Sequence, residues 1–158
     1  MFLENGPAEG DPVSQPDPLH FVFYIAAPPN KVWDGFVSPQ SNRVLFAGAE
    51  LEADLKPGGP MNWVGTGADG TRVTYVRGEV LQSDPPRLLE YTFSLGSSSK
   101  VSRVTIELTP ETEATKVSLT HDQWGEDDSA YVSSADGWPR ILSRLKTLIE
   151  TGKTFKPH

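Results

Sequence analysis

The feature that most constrains the fold is a single amphipathic helix that follows a long series of strand patterns. In the stretch DGWPRILSRLKTLIETGK (residues 136–153), apolar residues recur at helical spacing on one face. They are Trp138, Ile141, Leu142, Leu145, Leu148 and Ile149. Asp136 is suited to cap the start, Pro139 to the first turn and Gly152 to the position after the last turn. The stretch therefore predicts one long helix with one face to bury.

Seven stretches ahead of this helix carry the alternating or β-branched pattern of strands. They are HFVFYIA (20–26), AELEADL (49–55), MNWVG (61–65), TRVTYVRGEVLQ (71–82), RLLEYTFSL (87–95), VSRVTIELT (101–109) and KVSLTHDQW (116–124). The first and second are separated by a longer insert, in which NKVWDGFV and SPQSNRVLF predict two short helices. Short turns join the others, which indicates an antiparallel sheet.

The stretch GTGADG (65–70) spells the dinucleotide-binding fingerprint G-x-G-x-x-G. That fingerprint requires a helix after its last glycine, because the helix N-terminus binds the pyrophosphate. Here the alternating stretch TRVTYVRGEVLQ follows, and Asp-Gly is typical of a hairpin turn. We therefore interpret GTGADG as the link between two antiparallel strands, without a phosphate site.

The elements combine most simply as a two-layer α+β fold in which the sheet curls around the C-terminal helix. The length of 158 residues suits one domain with a real core. Residues 1–18, MFLENGPAEGDPVSQPDP, are acidic and proline-rich, and predict a flexible tail. The domain is then expected over residues 19–158.

Composition opposes several classes of partner and location. The formal net charge of −7 disfavours binding to nucleic acid, and no apolar run approaches the length of a membrane span. The chain has no cysteine, which fits a cytoplasmic protein, and its three histidines are dispersed without metal-ligand spacing. We expect no nucleic acid, no membrane insertion, no metal and no other cofactor; a homodimer is left open.

Five stretches carry a family resemblance. YIAAPPNKVWDGFV, DLKPGG, GEVLQSDPPRLLEYTF, VTIELTP and GWPRILSRLKTLIETG resemble the SRPBCC (START-like, Bet v 1-type) superfamily. Within it they are similar to bacterial proteins related to the C-terminal domain of the activator of the heat-shock protein 90 ATPase. The resemblance covers residues 19–153 and implies a helix-grip fold. In that fold a curved seven-stranded antiparallel sheet surrounds the long C-terminal helix, with two short helices between strands 1 and 2 and a cavity between sheet and helix.

Candidate ligand-binding residues follow from the faces of these elements. They are Trp63, Tyr75, Tyr91, His121, Trp124 and Leu142. Aromatic rings with a few hydroxyls and one imidazole suit an apolar ligand that carries one or two polar groups. His121 shares a strand face with Val117 and Leu119 and should point inward, either as a ligand-binding or acid–base group or as a core histidine bonded to the protein.

The sequence leaves three functions open. The first is binding of a hydrophobic or aromatic small molecule in the cavity. The second is a metal-free enzyme, similar to the cyclases or hydrolases of the superfamily, with His121 as acid or base. The third is a protein-interaction module, by analogy with the co-chaperone domain. No G-x-S-x-G elbow and no inward pair of carboxylates is evident, so no catalytic residue can be assigned.

Overall fold

The computed structural model describes residues 15–156. The elements in chain order are β1 (Leu19–Ile25), α1 (Pro29–Val37), α2 (Pro39–Leu45), β2 (Glu50–Ala53), β3 (Met61–Thr66), β4 (Arg72–Arg77), β5 (Val80–Asp84), β6 (Leu88–Leu95), β7 (Ser102–Glu111), β8 (Ala114–Asp122) and α3 (Ala130–Thr151). Most of the predicted N-terminal tail (1–18) lies outside the described residues, as do residues 157–158. Among the described residues, none of the helices combines the length and the apolar character that a membrane crossing requires.

The strands form one antiparallel sheet in the order β1-β8-β7-β6-β4-β3-β2. Strand β5 pairs with β6 on the same side as β4, so β4 and β5 together occupy one position among seven. The break between them falls at Gly78, where a Cβ atom would lie 2.1 Å from the carbonyl oxygen of Thr92. The predicted α+β helix-grip fold is confirmed, with the single predicted strand 71–82 divided at this glycine.

The stretch GTGADG joins β3 to β4 as a hairpin. The Gly67 amide donates to the Thr71 carbonyl at 2.7 Å, and the Thr71 amide and hydroxyl both donate to the Asp69 carboxylate. These hydrogen bonds close the turn within itself. The motif therefore has the role expected of a turn, and no helix follows it.

Among the neighbouring strands of the sheet, β4 and β6 are joined by the fewest residue pairs. Only Val76↔Leu95 and Arg77↔Ser94 pair across this junction, whereas nine pairs join β7 to β8. The sheet thus consists of a long-stranded part, β1-β8-β7-β6, and a short-stranded part, β2-β3-β4. Few residue pairs join the two parts between β4 and β6, and further backbone hydrogen bonds link them outside the strands: the Met61 amide donates to the Gly78 carbonyl and the Val80 amide to the Gly59 carbonyl.

Helices α1 and α2 begin with the local signals that the sequence carries. Pro29 occupies the first turn of α1 and Pro39 that of α2, where a missing amide hydrogen costs no helical hydrogen bond. The Ser38 hydroxyl accepts from the Ser41 amide at 3.1 Å and caps α2. Helix α1 packs closely on α3 at Gly35, where a Cβ would lie 2.7 Å from the Ile149 Cδ1 atom.

Helix α3 begins at Ala130, six residues before the predicted cap at Asp136. The Asp128 carboxylate accepts from the Ala130 amide at 3.0 Å, and Pro139 lies inside the helix rather than in its first turn. A proline there removes one helical hydrogen bond. Tertiary contacts offset that cost, since Ala130 is buried and the Tyr131 ring meets Trp124 at 5.2 Å.

One margin of the sheet is covered by the last turns of α3. The Lys146 ammonium donates to the Tyr24 carbonyl at 2.9 Å, and the Ala26 amide donates to the Glu150 carboxylate at 2.7 Å. Lys146 and Glu150 also pair with each other at 2.5 Å. The Lys146 hydrogen bond, together with that from Ala26, lowers the pKa of Glu150. Side chains of α3 thus occupy backbone groups at the end of edge strand β1 that would otherwise be unpaired.

Candidate functional site

A cavity of about 160 Å³ lies between the concave face of the sheet, the first half of α3 and the residue after α2. Its lining comprises Phe46, Trp63, Val76, Tyr91, Phe93, Leu95, Ser133, Ser134, Gly137, Trp138 and Ile141. Ser133 is exposed, whereas Trp63 and Tyr91 are buried, so the cavity runs inward from the surface of α3. A second hollow of about 20 Å³ lies beyond it and shares five of these residues, Trp63 and Tyr91 among them.

Helix α2 fixes the position of Trp63. The indole nitrogen of Trp63 donates to the Asn42 side-chain oxygen at 2.9 Å. The Asn42 amide nitrogen donates in turn to the carbonyl oxygens of Phe36 and Ser38 at 3.0 and 2.8 Å. Asn42 is buried and uses its acceptor and both donors, which locks the indole in one orientation. Phe46 meets the same indole at 5.7 Å and completes this wall.

Tyr91 lies at the centre of the site. Its ring packs on Trp63 at 5.7 Å, and its side chain lines both hollows. Burial raises the pKa of the Tyr91 hydroxyl, which therefore stays protonated. Within residues 15–156, no hydrogen-bond partner contacts this hydroxyl. A phenol hydroxyl in such a place has a donor and an acceptor that the protein does not use.

Helix α3 contributes two further hydroxyl groups to the wall. The Ser133 hydroxyl donates to the Ala130 carbonyl at 3.2 Å within the helix. Ser134 is buried one residue further on and faces the cavity on the same helical stripe as Trp138 and Ile141. The remaining lining is almost wholly apolar and holds no charged side chain, so the cavity itself suits an uncharged chemical group.

His121 lies behind the cavity wall and is bonded to the protein at both ring nitrogens. The Trp138 indole donates to His121 Nδ1 at 2.9 Å, and an indole nitrogen can only donate. His121 Nε2 therefore carries the proton and donates to the Ser102 hydroxyl at 2.7 Å, assigned from this network. The Ser102 hydroxyl donates onward to the Phe93 carbonyl at 3.3 Å. The network links α3 to three strands and orients Trp138.

Burial lowers the pKa of His121 to about 3, against a smaller opposing effect of Asp122. The imidazole is fully buried between the rings of Phe93 at 4.7 Å and Trp124 at 4.0 Å. It is therefore neutral at physiological pH. Of the two interpretations of this residue, the arrangement matches a core histidine bonded to the protein.

The structure brings Trp63 and Tyr91 together in the cavity wall but turns Tyr75 away from it. Tyr75 is 45% exposed, and its ring lies over Gly65 on the outer face of the sheet. The prediction that it lines the cavity is wrong, because Trp63 pairs directly with Val76, and directly paired residues share a face. Val76 therefore points inward and Tyr75 outward.

Trp124 and Leu142 are buried but do not line the cavity, so their predicted places in the site are wrong as well. Trp124 stacks on the far side of His121, and its indole nitrogen donates to the His121 carbonyl at 2.8 Å. Leu142 lies about 100° around the helix from Ile141, and the narrow cavity reaches only the Ile141 side. Both residues belong to the core.

Several lining residues were missed by sequence reasoning. The lining residues absent from the predicted set are Phe46, Val76, Phe93, Leu95, Ser133, Ser134, Trp138 and Ile141. The alternating face of Leu89, Tyr91, Phe93 and Leu95 could have pointed to Leu95. The two serines had no such signal, because they precede Asp136, the predicted start of the helix.

A family model described as Activator of Hsp90 ATPase homolog 1-like protein matches residues 26–150 of the chain. No curated protein matches the sequence. The family match spans every element from α1 to α3, and so includes all of the cavity wall.

Solved structures of bacterial proteins share the fold. ChR145 from Cytophaga hutchinsonii is 26% identical with a TM-score of 0.69, covering 89% of this chain and 98% of that one. MLL2253 from Mesorhizobium loti is 23% identical with a TM-score of 0.67, covering 84% and 96%. The Aha1 dimer from Colwellia psychrerythraea is 16% identical with a TM-score of 0.67, covering 87% and 98%.

Proposed function

The chain belongs to the Activator of Hsp90 ATPase homolog 1-like protein family, and we propose that it binds a hydrophobic or aromatic small molecule in the cavity between the sheet and α3. The observation that carries this proposal is the Tyr91 side chain: it is 2% exposed and lines the apolar cavity, and its hydroxyl has no hydrogen-bond partner within residues 15–156. Removing a hydroxyl from water without replacing its hydrogen bonds is unfavourable. A ligand with one polar atom would supply the missing bond.

The cavity volume supports a ligand portion about the size of one aromatic ring. Its 160 Å³ is close to the roughly 150 Å³ of an engineered apolar cavity that binds benzene. The rings of Trp63, Phe93 and Trp138 offer faces and edges for such a ring to contact. The network through His121 supports this function indirectly, since it holds Trp138 in place.

The two other functions have less support. An enzyme with His121 as acid or base would need a free ring nitrogen near the substrate, and both nitrogens bond to protein. The interaction module stays a prediction. Self-association also stays a prediction: the Colwellia relative is described as a dimer, and sedimentation velocity would give the state of this chain.

The first experiment compares toluene with p-cresol, which differ by one hydroxyl. Trp63 and Trp138 line the cavity, so tryptophan emission reports binding. We expect the Tyr91→Phe variant to bind p-cresol about threefold to tenfold more weakly than the wild type, the value of one net hydrogen bond, with toluene affinity unchanged. The measurement is the Kd of each compound for each variant.

Tyr75→Phe is the matched control, because it deletes the same hydroxyl from an exposed tyrosine on the opposite face. This variant should bind both compounds as the wild type does. If neither compound changes the emission or raises the Tm of the wild type, the proposed function is wrong. If Tyr91→Phe binds p-cresol normally, Tyr91 is not the orienting group.

A further inference from the structure

A second concave region adjoins the cavity on the flank of α3. It is a cleft of about 370 Å³, and its lining comprises Leu45, Gly137, Arg140, Ile141, Arg144, Phe155 and Lys156. Gly137 and Ile141 also line the cavity, so the two spaces are neighbours along α3. At Gly137 a Cβ atom would meet nothing within 4 Å, so the helix leaves open space at the junction. A molecule longer than one ring could extend from the cavity into the cleft.

Arg144 is the unusual residue of this cleft. It is only 3% exposed, and its guanidinium donates to the carbonyls of Leu45 at 2.6 Å, Val44 at 2.7 Å and Phe155 at 2.7 Å. In the described part of the chain its partners are these neutral carbonyls, and no carboxylate pairs with it. Burial without a counter-charge lowers the pKa of Arg144. A buried charge of this kind favours an anion nearby.

The guanidinium also has donors to spare. It carries five N–H groups, and the three carbonyls use three of them. Two N–H groups are thus without a partner among residues 15–156, on a side chain that lines the cleft. Binding a carboxylate would satisfy donors and charge together.

Two more cations surround the same space. Arg140 lines the cleft and pairs with Asp136 at 3.2 Å, and Lys156 approaches from the C-terminal segment. The whole chain carries a net charge of −7, whereas three cationic residues line this one cleft, of which Arg140 is already paired with Asp136. Leu45, Ile141 and Phe155 line the cleft between them with apolar surface.

We infer that the ligand is an amphipathic organic anion. Its apolar ring lies in the cavity against Tyr91 and Trp138, and its carboxylate lies in the cleft near Arg144, with Arg140 and Lys156 beside it. Gly137 and Ile141 mark the passage between the two. This inference rests on the proposed function, because the cleft gives specificity to a molecule whose apolar part the cavity binds.

The experiment uses ω-phenylalkanoates of increasing chain length and the corresponding ω-phenylalkanols, which replace the carboxylate by a neutral hydroxyl. At the chain length that spans cavity and cleft, the wild type should bind the carboxylate about tenfold or more tightly than the alcohol, as expected of hydrogen bonds to a charged group. The Arg140→Gln/Lys156→Gln double variant should reduce this preference severalfold. Arg144 is left unchanged in this test, because it also binds three backbone carbonyls.

Lys153→Gln is the matched control: it removes one charge from the same C-terminal segment outside the cleft lining and should keep the full preference. If neither class of compound binds, the proposed function fails and this inference fails with it. If the alcohols bind as tightly as the carboxylates, or the double variant keeps the preference, the anion site is overturned while cavity binding stands. The anion site is overturned as well if acetate binds as tightly as the phenylalkanoates, since the anion would then bind without the cavity.

Discussion

At the scale of single residues, two buried polar side chains tie α3 to the rest of the molecule. His121 accepts from the Trp138 indole and donates to Ser102, and both contacts are with neutral partners. Arg144 satisfies carbonyls of Val44 and Leu45, which belong to the last turn of α2 and have no partner within that helix. Each residue therefore bonds polar groups that would lack a hydrogen-bond partner if apolar packing alone held the helices together.

The buried His121 predicts a loss of stability in mild acid. The folded-state pKa is lowered to about 3, whereas an unfolded histidine titrates near 6.5. Between these values the unfolded chain binds more protons, so the free energy of unfolding falls as the pH falls through this window. From pH 7 to pH 5 this residue should account for about 2 kcal/mol, at about 1.4 kcal/mol per unit below 6.5. Urea denaturation at both values measures it.

The comparison variant is His121→Leu, which should be less stable at pH 7 because Trp138 and Ser102 lose their partner. Its loss between pH 7 and pH 5 should nevertheless be about 2 kcal/mol smaller than that of the wild type. His20→Gln removes an exposed histidine and should keep the wild-type slope. An unchanged slope in His121→Leu would contradict the assignment of the acid sensitivity to this residue.

The directions of single side chains were predicted correctly from the sequence in some cases and wrongly in others. Strand alternation gave the correct inward direction for His121 and Tyr91, because both lie in long regular strands. It failed for Tyr75, whose strand is paired to β3 through an irregular register near Trp63. The helical pattern likewise gave no sign that Arg144 is buried, since it lies outside the apolar face and is covered by the segment 153–156. Neither bulges nor returning segments leave a periodic signal.

At the scale of the elements, contacts along α3 decide which substitutions the helices tolerate. Gly35 of α1 lies directly against α3, whereas Gly137 of α3 faces the open junction of cavity and cleft. Both glycines are helical, so replacing either with alanine changes helix propensity by the same favourable amount. The difference between the free energies of unfolding of the two variants then measures only how the added methyl group packs.

We expect opposite effects of the two substitutions on the free energy of unfolding. Gly137→Ala should stabilise the protein by about 0.5–1 kcal/mol through helix propensity. Gly35→Ala should destabilise it by up to about 2 kcal/mol, because overpacking costs about 1–3 kcal/mol and exceeds the gain in propensity. Leu145 and Ile149, which the new methyl group would meet at 2.8 and 2.7 Å, cannot both move freely in a packed interface.

Chemical denaturation of the two alanine variants beside the wild type measures this contrast. The proposed packing of α1 on α3 would be wrong if both variants gained stability equally. A destabilised Gly137→Ala would show instead that the junction beside α3 has no room for a methyl group.

The helices and strands were easier to predict than the directions of single side chains, because each helix or strand carries a periodic pattern in its own sequence. Within residues 15–156, the seven strand positions and the three helices follow from periodicity and from the prolines of α1 and α2. The start of α3 could not be found in this way. Its first turns, AYVSS, have no strong apolar stripe, and Pro139 indicated a helix start rather than an interior position. The edge-to-face contact of Tyr131 with Trp124 that supports this turn is a tertiary contact.

At the scale of the whole molecule, the sheet has two parts of unequal strength. Two residue pairs join β4 to β6, and one of them, Val76 and Leu95, lies in the cavity wall. The long strands β7 and β8 are paired along nearly their whole length. We therefore expect local opening of the short-stranded part to cost less free energy than the opening of β7 and β8.

Hydrogen exchange should reveal this division. Amides of β3 and β4 should exchange at least about tenfold faster than those of β7 and β8, since local openings cost less than global unfolding. Addition of p-cresol should slow exchange in β4 and in the adjacent end of β6, where Val76 and Leu95 line the cavity. Mass spectrometry of peptides from these strands measures both effects. Uniform exchange rates across the sheet would contradict the division.

The lysine–glutamate pair at the end of β1 has a consequence for behaviour at high concentration. A neighbouring molecule that tried to extend the sheet there would find the Tyr24 carbonyl and the Ala26 amide already bonded to α3. Displacing those bonds would release a lysine and a carboxylate into the new contact, where each would need rehydration or a new partner. Side chains of the last helix thus make these two backbone groups unavailable for strand addition by a second molecule.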